Sequence, residues 1–270
     1  MPTLPDPTLP LDTFITPTRV AADTFSFVFP DGWQQGRGAF GGLVVAALVR
    51  AVEAQVADGR TLRSLTVALC GPTQPGAAEV RTEILRAGNA MTTVAARLLQ
   101  GEELQAHAVA VLGKPRPAEF DHTRLQPPPP SRWQDVPVLP IAPPLGPHFA
   151  RYFEFRNTGA LPFAGQTELE TSGWIRPLQA SERDAAWIAA CADAWWPVLF
   201  AQVSAPRPMA TVAFTLQVLV DPATLDPAAP LRYRATTAAV SEGYAVEFRE
   251  LWTADGRLVA LNEQTIAVIK

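Results

Sequence analysis

Hydrophobic and polar residues alternate along most of this chain, which predicts a protein built mainly from β-strands. Residues 23–29 place three phenylalanines on one side of an extended segment, with the period of two that a half-buried strand requires. Glycine turns with Pro or Asn separate the next four strand-like runs, at 62–69, 79–85, 91–99 and 104–112. We expect these four runs to form an antiparallel meander in chain order.

Two apolar segments have helical rather than strand character. Residues 43–56 follow a glycine-rich turn at 33–42 and are apolar on nearly all sides for about four turns, which is typical of a helix surrounded by a curled sheet. Residues 181–200 begin with Ser181 and Asp184 in a capping-box-like arrangement, and Pro197 limits the other end. A helix of about 15 residues is therefore expected there.

The same order of elements occurs twice, on either side of a proline-rich stretch. After the prolines come predicted strands at 149–155 and 167–177, the helix of 181–200, and four further strands at 210–220, 231–240, 244–253 and 258–269. We interpret the chain as a structural duplication. Its parts are an N-terminal unit at 1–114, a stiff linker at 115–147 and a C-terminal unit at 148–270.

Composition and charge narrow the class of protein. The 48% hydrophobic content supports a real core, and a formal charge of -4 offers no basic surface for nucleic acid. The longest apolar run, 40–49, is about half a membrane span, and no signal peptide is recognisable, so we expect a soluble cytoplasmic protein without a membrane partner. Cys70 and Cys191 lack metal-type spacing and are interpreted as small core residues.

Asp193 is the one acid inside the apolar second helix. At helical spacing its neighbours are alanines and Trp196, so its carboxylate lies on a face that should turn inward. It is either a structural group satisfied by a backbone donor or water, or a general base whose pKa is raised by burial. The spacing alone leaves both interpretations open.

The two halves differ in a complementary way. The first keeps Gly41-Gly42 at its helix start, whereas the second has alanines there and keeps Asp193. The first half can therefore contribute backbone groups at its helix start, and the second half can contribute the carboxylate of Asp193. When the final strands of the halves are matched by their apolar positions, Gln264 falls opposite His107.

An apolar helix with a four-strand sheet, twice in one chain, resembles the double hotdog fold of the acyl-CoA thioesterase II-like family. The fold class implied is α+β, with two tandem hotdog units, each an antiparallel sheet wrapped around a long apolar helix. The residues that carry this resemblance are Phe40-Gly41-Gly42, Ala192-Asp193-Ala194-Trp195, Ala210-Thr211-Val212 and Glu263-Gln264-Thr265.

The resemblance implies a thioester hydrolase of fatty acid metabolism, acting on acyl-CoA, that needs no metal and no cofactor. In the family a helix Asp, a strand Thr or Ser and a last-strand Gln orient and activate water, and these roles fall on Asp193, Thr211 and Gln264. The backbone at Gly41 and Gly42 is expected to face the developing oxyanion. Phe40 and Trp195 are expected beside the substrate. An exposed sheet edge and many tryptophans favour a homo-oligomer, in the simplest case a dimer.

Each of these residues also has a purely structural interpretation. Thr211 suits any strand, Gln264 is a buried amide that needs partners, and the two glycines permit close packing of helix on sheet. His107 is either a satisfied core or groove histidine or the mark of a relic second site.

Rival functions are less well supported by the sequence. A dehydratase needs a histidine paired with an acid near a characteristic loop, which His107 lacks, and no G-x-S-x-G for a serine hydrolase occurs. The serious alternative is a non-catalytic acyl-CoA or acyl-group binding double hotdog protein. It would keep an apolar pocket while Asp193, Thr211 and Gln264 lay apart.

Overall fold

The computed structural model describes residues 9–117, 119, 122–129, 131–167, 169–179, 183–226 and 229–269. Ser181, one half of the predicted capping box, lies outside these residues. The described part of the chain contains three α-helices: α1 (Asp12–Ile15), α2 (Gly41–Val56) and α3 (Ala185–Ala194). Short 3-10 turns occur at Trp133–Asp135, His148–Tyr152, Val198–Ala201 and Pro222–Thr224.

β-strands are the main regular structure of the described chain, as the alternating pattern predicts. The strands are β1 (Thr18–Ala21), β2 (Thr24–Phe29), β3 (Gln34–Gln35), β4 (Gly38–Ala39), β5 (Thr61–Leu69), β6 (Gly76–Ala87), β7 (Met91–Gln100), β8 (Glu103–Gly113), β9 (Phe153–Asn157), β10 (Glu170–Pro177), β11 (Met209–Val218), β12 (Leu231–Ser241), β13 (Tyr244–Trp252) and β14 (Leu258–Val268). The strand predicted at 149–155 is wrong at its start, where residues His148–Tyr152 form a 3-10 turn.

Twelve of these strands form one antiparallel sheet in the order β1-β2-β6-β7-β8-β5-β11-β14-β13-β12-β10-β9. The predicted meander in chain order is wrong for its first strand, because β5 pairs with β8 and not with β6. The β5–β6 connection contains Pro72 and Pro75, which do not suit a tight hairpin, whereas short turns join β6 to β7 and β7 to β8. The free edge of β5 then pairs with β11, which joins the two halves of the sheet.

Helix α3 is shorter than the sequence predicts. It has ten residues instead of about 15, and the Asp184 carboxylate caps its start by accepting a hydrogen bond from the amide of Trp187 at 2.8 Å. Trp195 has already left the helix, with ψ at 148°. A continued helix would drive the ring of Pro197 against the carbonyl of Asp193, so the helix ends directly after the acid.

The two longer helices pack against each other on the inner side of the sheet. All ten residues of α3 and ten of the sixteen in α2 are buried, as expected for helices that are apolar on nearly all sides. An ion-pair group joins the middle of α2 to α1 and to the start of α3, because the Arg50 guanidinium contacts Asp12 at 2.5 Å and Asp184 at 2.6 Å. Helix α1, α2 and the start of α3 are therefore held together by ion pairs.

The two cysteines lie in different environments. Cys191 is buried in α3, but Cys70 is exposed at the end of β5, so its interpretation as a core residue is wrong. Both thiols are free.

Among the described residues, no helix has both the length and the apolar character needed to cross a bilayer.

Candidate active site

Asp193 lies at the end of α3, where it meets the start of α2 from the other half of the chain. Only 9% of the residue is exposed. Burial raises the pKa of its carboxyl group, while the Arg249 guanidinium, the Gln264 amide and the backbone N–H of Gly42 lower it again; the net direction is upward. Asp193 is therefore a desolvated carboxylate held by several donors, as a candidate general base should be.

Gln264 connects Asp193 to Thr211. Its Nε2 donates to Asp193 Oδ1 at 2.9 Å, and its Oε1 accepts from the Thr211 hydroxyl at 2.8 Å. The amide is fully buried, so this pairing fixes which way it faces. The structure thus brings together the three predicted side chains, Asp193 of α3, Thr211 of β11 and Gln264 of β14.

The glycines at the start of α2 make this convergence possible. A Cβ on Gly41 would lie 2.8 Å from Asp193 Oδ2, and one on Gly42 would lie 3.0 Å from the Asp193 Cβ. A Cβ on Gly41 would displace the carboxylate, whereas a Cβ on Gly42 would first clash with the Phe40 ring. The first amides of a helix have no partner inside the helix, and they carry the positive end of its dipole. The backbone N–H of Gly42 is a donor to Asp193, and Gly41 brings the helix start close to Oδ2 of the same carboxylate.

The two aromatic residues proposed beside the substrate lie in the packed core. Phe40 is fully buried and stacks on Phe149 with ring centroids 3.9 Å apart. Trp195 stacks on Tyr233 at 4.9 Å, and its indole Nε1 donates to the Thr171 hydroxyl at 3.3 Å. Both rings support the backbone next to the site, at the start of α2 and at the end of α3.

Three polar residues next to the site were missed in the sequence. Asn262, two residues before Gln264 on β14, accepts a hydrogen bond from Gln264 Nε2 at 3.0 Å. Arg249 of β13 places Nη1 4.0 Å from Asp193 Oδ1, and Glu247 of the same strand binds that guanidinium at 2.9 Å. In the sequence they are ordinary polar residues of alternating strands, and only their inward orientation distinguishes them.

The register of the strands corrects the predicted match between Gln264 and His107. Corresponding irregularities lie between Leu62 and Ser64 in β5 and between Thr211 and Ala213 in β11, so Leu62 is the counterpart of Thr211. Three residues later, Leu65 pairs with Ala110 and Phe214 pairs with Gln264. The counterpart of Gln264 is therefore Ala110, because matching apolar positions alone placed the strands three residues out of register.

The first half consequently has no equivalent of the polar site. Leu62 and Ala110, at the counterparts of Thr211 and Gln264, are fully buried apolar residues. His107 is half-buried and pairs across the sheet with Ala68 and Arg97. Within the described residues, no group of three or more His, Cys, Asp or Glu side chains is placed to hold a metal ion.

Comparisons with known proteins identify the family of this chain and agree with its fold. The family profile described as acyl-CoA thioesterase N-terminal domain matches residues 29–113, and the profile described as acyl-CoA thioesterase C-terminal domain matches residues 122–268. The chain belongs to the acyl-CoA thioesterase family. No curated protein sequence matches it significantly.

Solved structures share this fold over nearly the whole chain. A hot dog fold protein of unknown function from Alicyclobacillus acidocaldarius is 23% identical, with a TM-score of 0.88 over 96% of this chain and 98% of that one. A candidate thioesterase II from Thermobifida fusca YX is 23% identical, with a TM-score of 0.83 over 96% and 97%. The acyl-CoA thioesterase II TesB2 from Mycobacterium marinum is 15% identical, with a TM-score of 0.76 over 96% and 98%. The chain thus resembles hotdog proteins of the thioesterase II type.

Proposed function

We propose that this protein hydrolyses an acyl-CoA thioester to the free acid and coenzyme A, with water activated by Asp193 and oriented through Gln264 and Thr211. The observation that carries the proposal is the continuous hydrogen-bonded series from Thr211 through Gln264 to the buried Asp193 carboxylate. Membership of the acyl-CoA thioesterase family supports the class of substrate.

The mechanism follows from which atoms are already occupied. Oδ1 of Asp193 accepts from Gln264, which leaves Oδ2, on the side of Gly41, to take the proton of a water molecule. That water attacks the thioester carbonyl carbon, the C–S bond of the resulting tetrahedral intermediate breaks, and the coenzyme A sulfur takes up the proton that Asp193 received from water. The amide of Gly42 already serves the carboxylate, so the amide of Gly41 is the better candidate for the developing oxyanion.

We further propose that the fold is a double hotdog with units at 1–114 and 148–270 joined by a proline-rich linker at 115–147. The order of the sheet supports this, since six strands lie on each side of the β5–β11 junction. Helix α2, with sixteen residues, fits the long apolar helix of such a unit, and α3, with ten, is a shorter version.

The wider setting is also proposed. Acyl-CoA as substrate would place the protein in fatty acid metabolism in the cytoplasm, working without a metal or cofactor. The exposed edge strand β1, with all four residues exposed, supports assembly as a homodimer.

The test is release of coenzyme A from a panel of acyl-CoA thioesters of increasing chain length. We expect turnover by the native protein and a loss of at least about 100-fold in kcat for Asp193→Asn, which keeps the size of the side chain but removes the base. Equal rates for the two proteins would remove Asp193 from the mechanism. No release from any substrate, combined with measurable binding, would favour the non-catalytic acyl-binding protein.

A further inference from the structure

A buried ion pair on β13 lies beside the candidate active site. Glu247 and Arg249 sit on the inner face of this strand, with relative exposures of 0% and 2%, while Phe248 between them faces outward at 48%. Burying two charges costs free energy that is often not recovered by their attraction. A pair in this position therefore requires a physical reason.

The guanidinium of Arg249 is held rigidly at the end of α3. Its Nη2 donates to Glu247 Oε2 at 2.9 Å, and its Nη1 donates to the carbonyl oxygen of Ala192 at 3.1 Å. Glu247 is held in turn, because its Oε1 accepts from the amide of Val198 at 2.7 Å. The cation consequently cannot swing away from Asp193, which is the residue after Ala192.

The first half of the molecule shows that the sheet does not need charges at these positions. Gln264 pairs with Glu247, and its counterpart Ala110 pairs with Val94, so Val94 is the counterpart of Glu247. By the same register, Ala96 is the counterpart of Arg249. Val94 and Ala96 are fully buried. The charged pair occurs only in the half that carries Asp193, which ties it to the site and not to the architecture.

We propose that Glu247 and Arg249 are a positioning pair for Asp193, in which Arg249 keeps the carboxylate charged and Glu247 anchors the guanidinium and offsets part of its field. This inference rests on the proposed role of Asp193 as the base. Two buried carboxylates then share one cation, so the protonation of Asp193 depends on the balance between its two neighbours on β13. Neither neighbour touches the substrate in this scheme.

The groups that face Asp193 define the sign of each effect. Arg249 and Glu247 face it from β13, and the Tyr233 hydroxyl faces the same cluster from β12, with a pKa raised by burial so that it stays neutral. Gln264 and Thr211 on β14 and β11, and the α2 start, contribute uncharged donors. Burial raises the pKa of Asp193, and Arg249 is the first of the contributions that oppose it.

Two substitutions on β13 are expected to act in opposite directions. Arg249→Met removes the cation and should move the acidic limb of kcat/KM upward by about one pH unit or more. Glu247→Gln keeps an acceptor for the Val198 amide but removes the competing negative charge, so the same limb should move downward. Arg249→Lys, which keeps the charge, should restore most of the native profile.

A second readout does not depend on turnover. Infrared difference spectra of protein labelled with 13C-aspartate, with Asp193→Asn as the reference, report the ionisation of Asp193 directly. If hydrolysis fails for every substrate but the titration still shifts in opposite directions, the proposed function is wrong and the positioning pair stands. If Arg249→Met does not fold, the direction of the shift in Glu247→Gln decides.

Glu250→Gln is the matched control, because Glu250 pairs with Arg234 at 2.6 Å on the same two strands, β13 and β12, away from Asp193. This variant should leave the profile and the infrared titration unchanged. Shifts of the same sign in Glu247→Gln and Arg249→Met, or no shift in either, would overturn the proposal and leave the pair a structural one.

Discussion

At the scale of single residues, Gln264 is the hub of the candidate site. Its amide oxygen and nitrogen are both engaged, with Thr211 on one side and with Asp193 and Asn262 on the other. A buried amide with these partners has one favourable orientation. Thr211 therefore acts on Asp193 indirectly, by fixing the rotamer of the amide that donates to the carboxylate.

Thr211→Val tests this chain of contacts. The variant keeps the β-branched shape, so the strand should be retained, but the Gln264 oxygen loses its donor and the amide becomes free to flip. We expect kcat for the hydrolysis of acyl-CoA to fall by about 10- to 100-fold with KM little changed, and Thr211→Ser to recover most of the loss. If the Val variant turns over like the native protein, Thr211 is only a strand residue.

The sequence pattern indicates Asp193 as a candidate but does not indicate its charged neighbours Glu247 and Arg249, because the two elements have different surroundings. An acid among alanines on a helix stands out because nothing else on that face is polar. In β13 the alternation predicts that Val246 and Phe248 face the core and that the charged residues between and after them face solvent. The structure instead buries Glu247 and Arg249. The cost of burying these charges is offset by partners outside β13, namely the Val198 amide for Glu247 and Asp193 for Arg249.

At the scale of elements, the site depends on how closely the start of α2 approaches the end of α3. The absence of a side chain at Gly41 leaves room for Asp193 Oδ2. The two helices come from different halves of the chain, and this complementarity could be anticipated by comparing their sequences. The length of α3 could not, because the sequence does not show which residue near Pro197 ends the helix.

Gly41→Ala separates activity from stability. Alanine is a better helix former than glycine by about 1 kcal/mol, so the free energy of unfolding should change little, whereas the new methyl group displaces the carboxylate. We expect kcat to fall by about 100-fold in a protein that melts near the native temperature. The comparison is Gly88→Ala in the β6–β7 turn, where an added Cβ makes only an ordinary 3.5 Å contact, with Met91 O. Loss of activity in both variants, or in neither, would contradict the role given to Gly41.

The order of the strands shows a limit of pattern reasoning at this scale. Alternation locates most strands to within three residues, because burial of one face is a local property. It does not say which strand is the neighbour of which. The pairing of β5 with β8 and β11 depends on contacts between distant segments, and so does the register that pairs Gln264 with Phe214 and not with its neighbours.

At the scale of the whole molecule, the two halves of the sheet differ at the positions of the candidate site. Both contribute to one sheet through the β5–β11 junction, and both contribute a helix. The polar residues occur only in the second half. Leu62 and Ala110 occupy the counterpart positions of Thr211 and Gln264 in the first half. The chain therefore combines a backbone donor at Gly42 from one half with the carboxylate of Asp193 from the other in a single candidate site.

This inequality predicts the stoichiometry of binding. Titration calorimetry with a non-hydrolysable thioether analogue of acyl-CoA should give one ligand for each chain, because the counterpart region is filled by buried apolar side chains. Two equivalent ligands for each chain would contradict the correspondence between the halves. Asp193→Asn should keep the same stoichiometry, since the substitution removes the proposed base and keeps the size of the side chain.

The most direct test of the central claim follows oxygen from water into the product. In a single turnover of the native protein with acyl-CoA in H2-18O, attack by a water that Asp193 activates puts one labelled oxygen into the released acid. The account predicts this label in the first turnover and an Asp193 side chain that remains unlabelled. An unlabelled acid, with the label found in Asp193 after turnover, would mean that the carboxylate attacks the thioester itself, and would contradict the account.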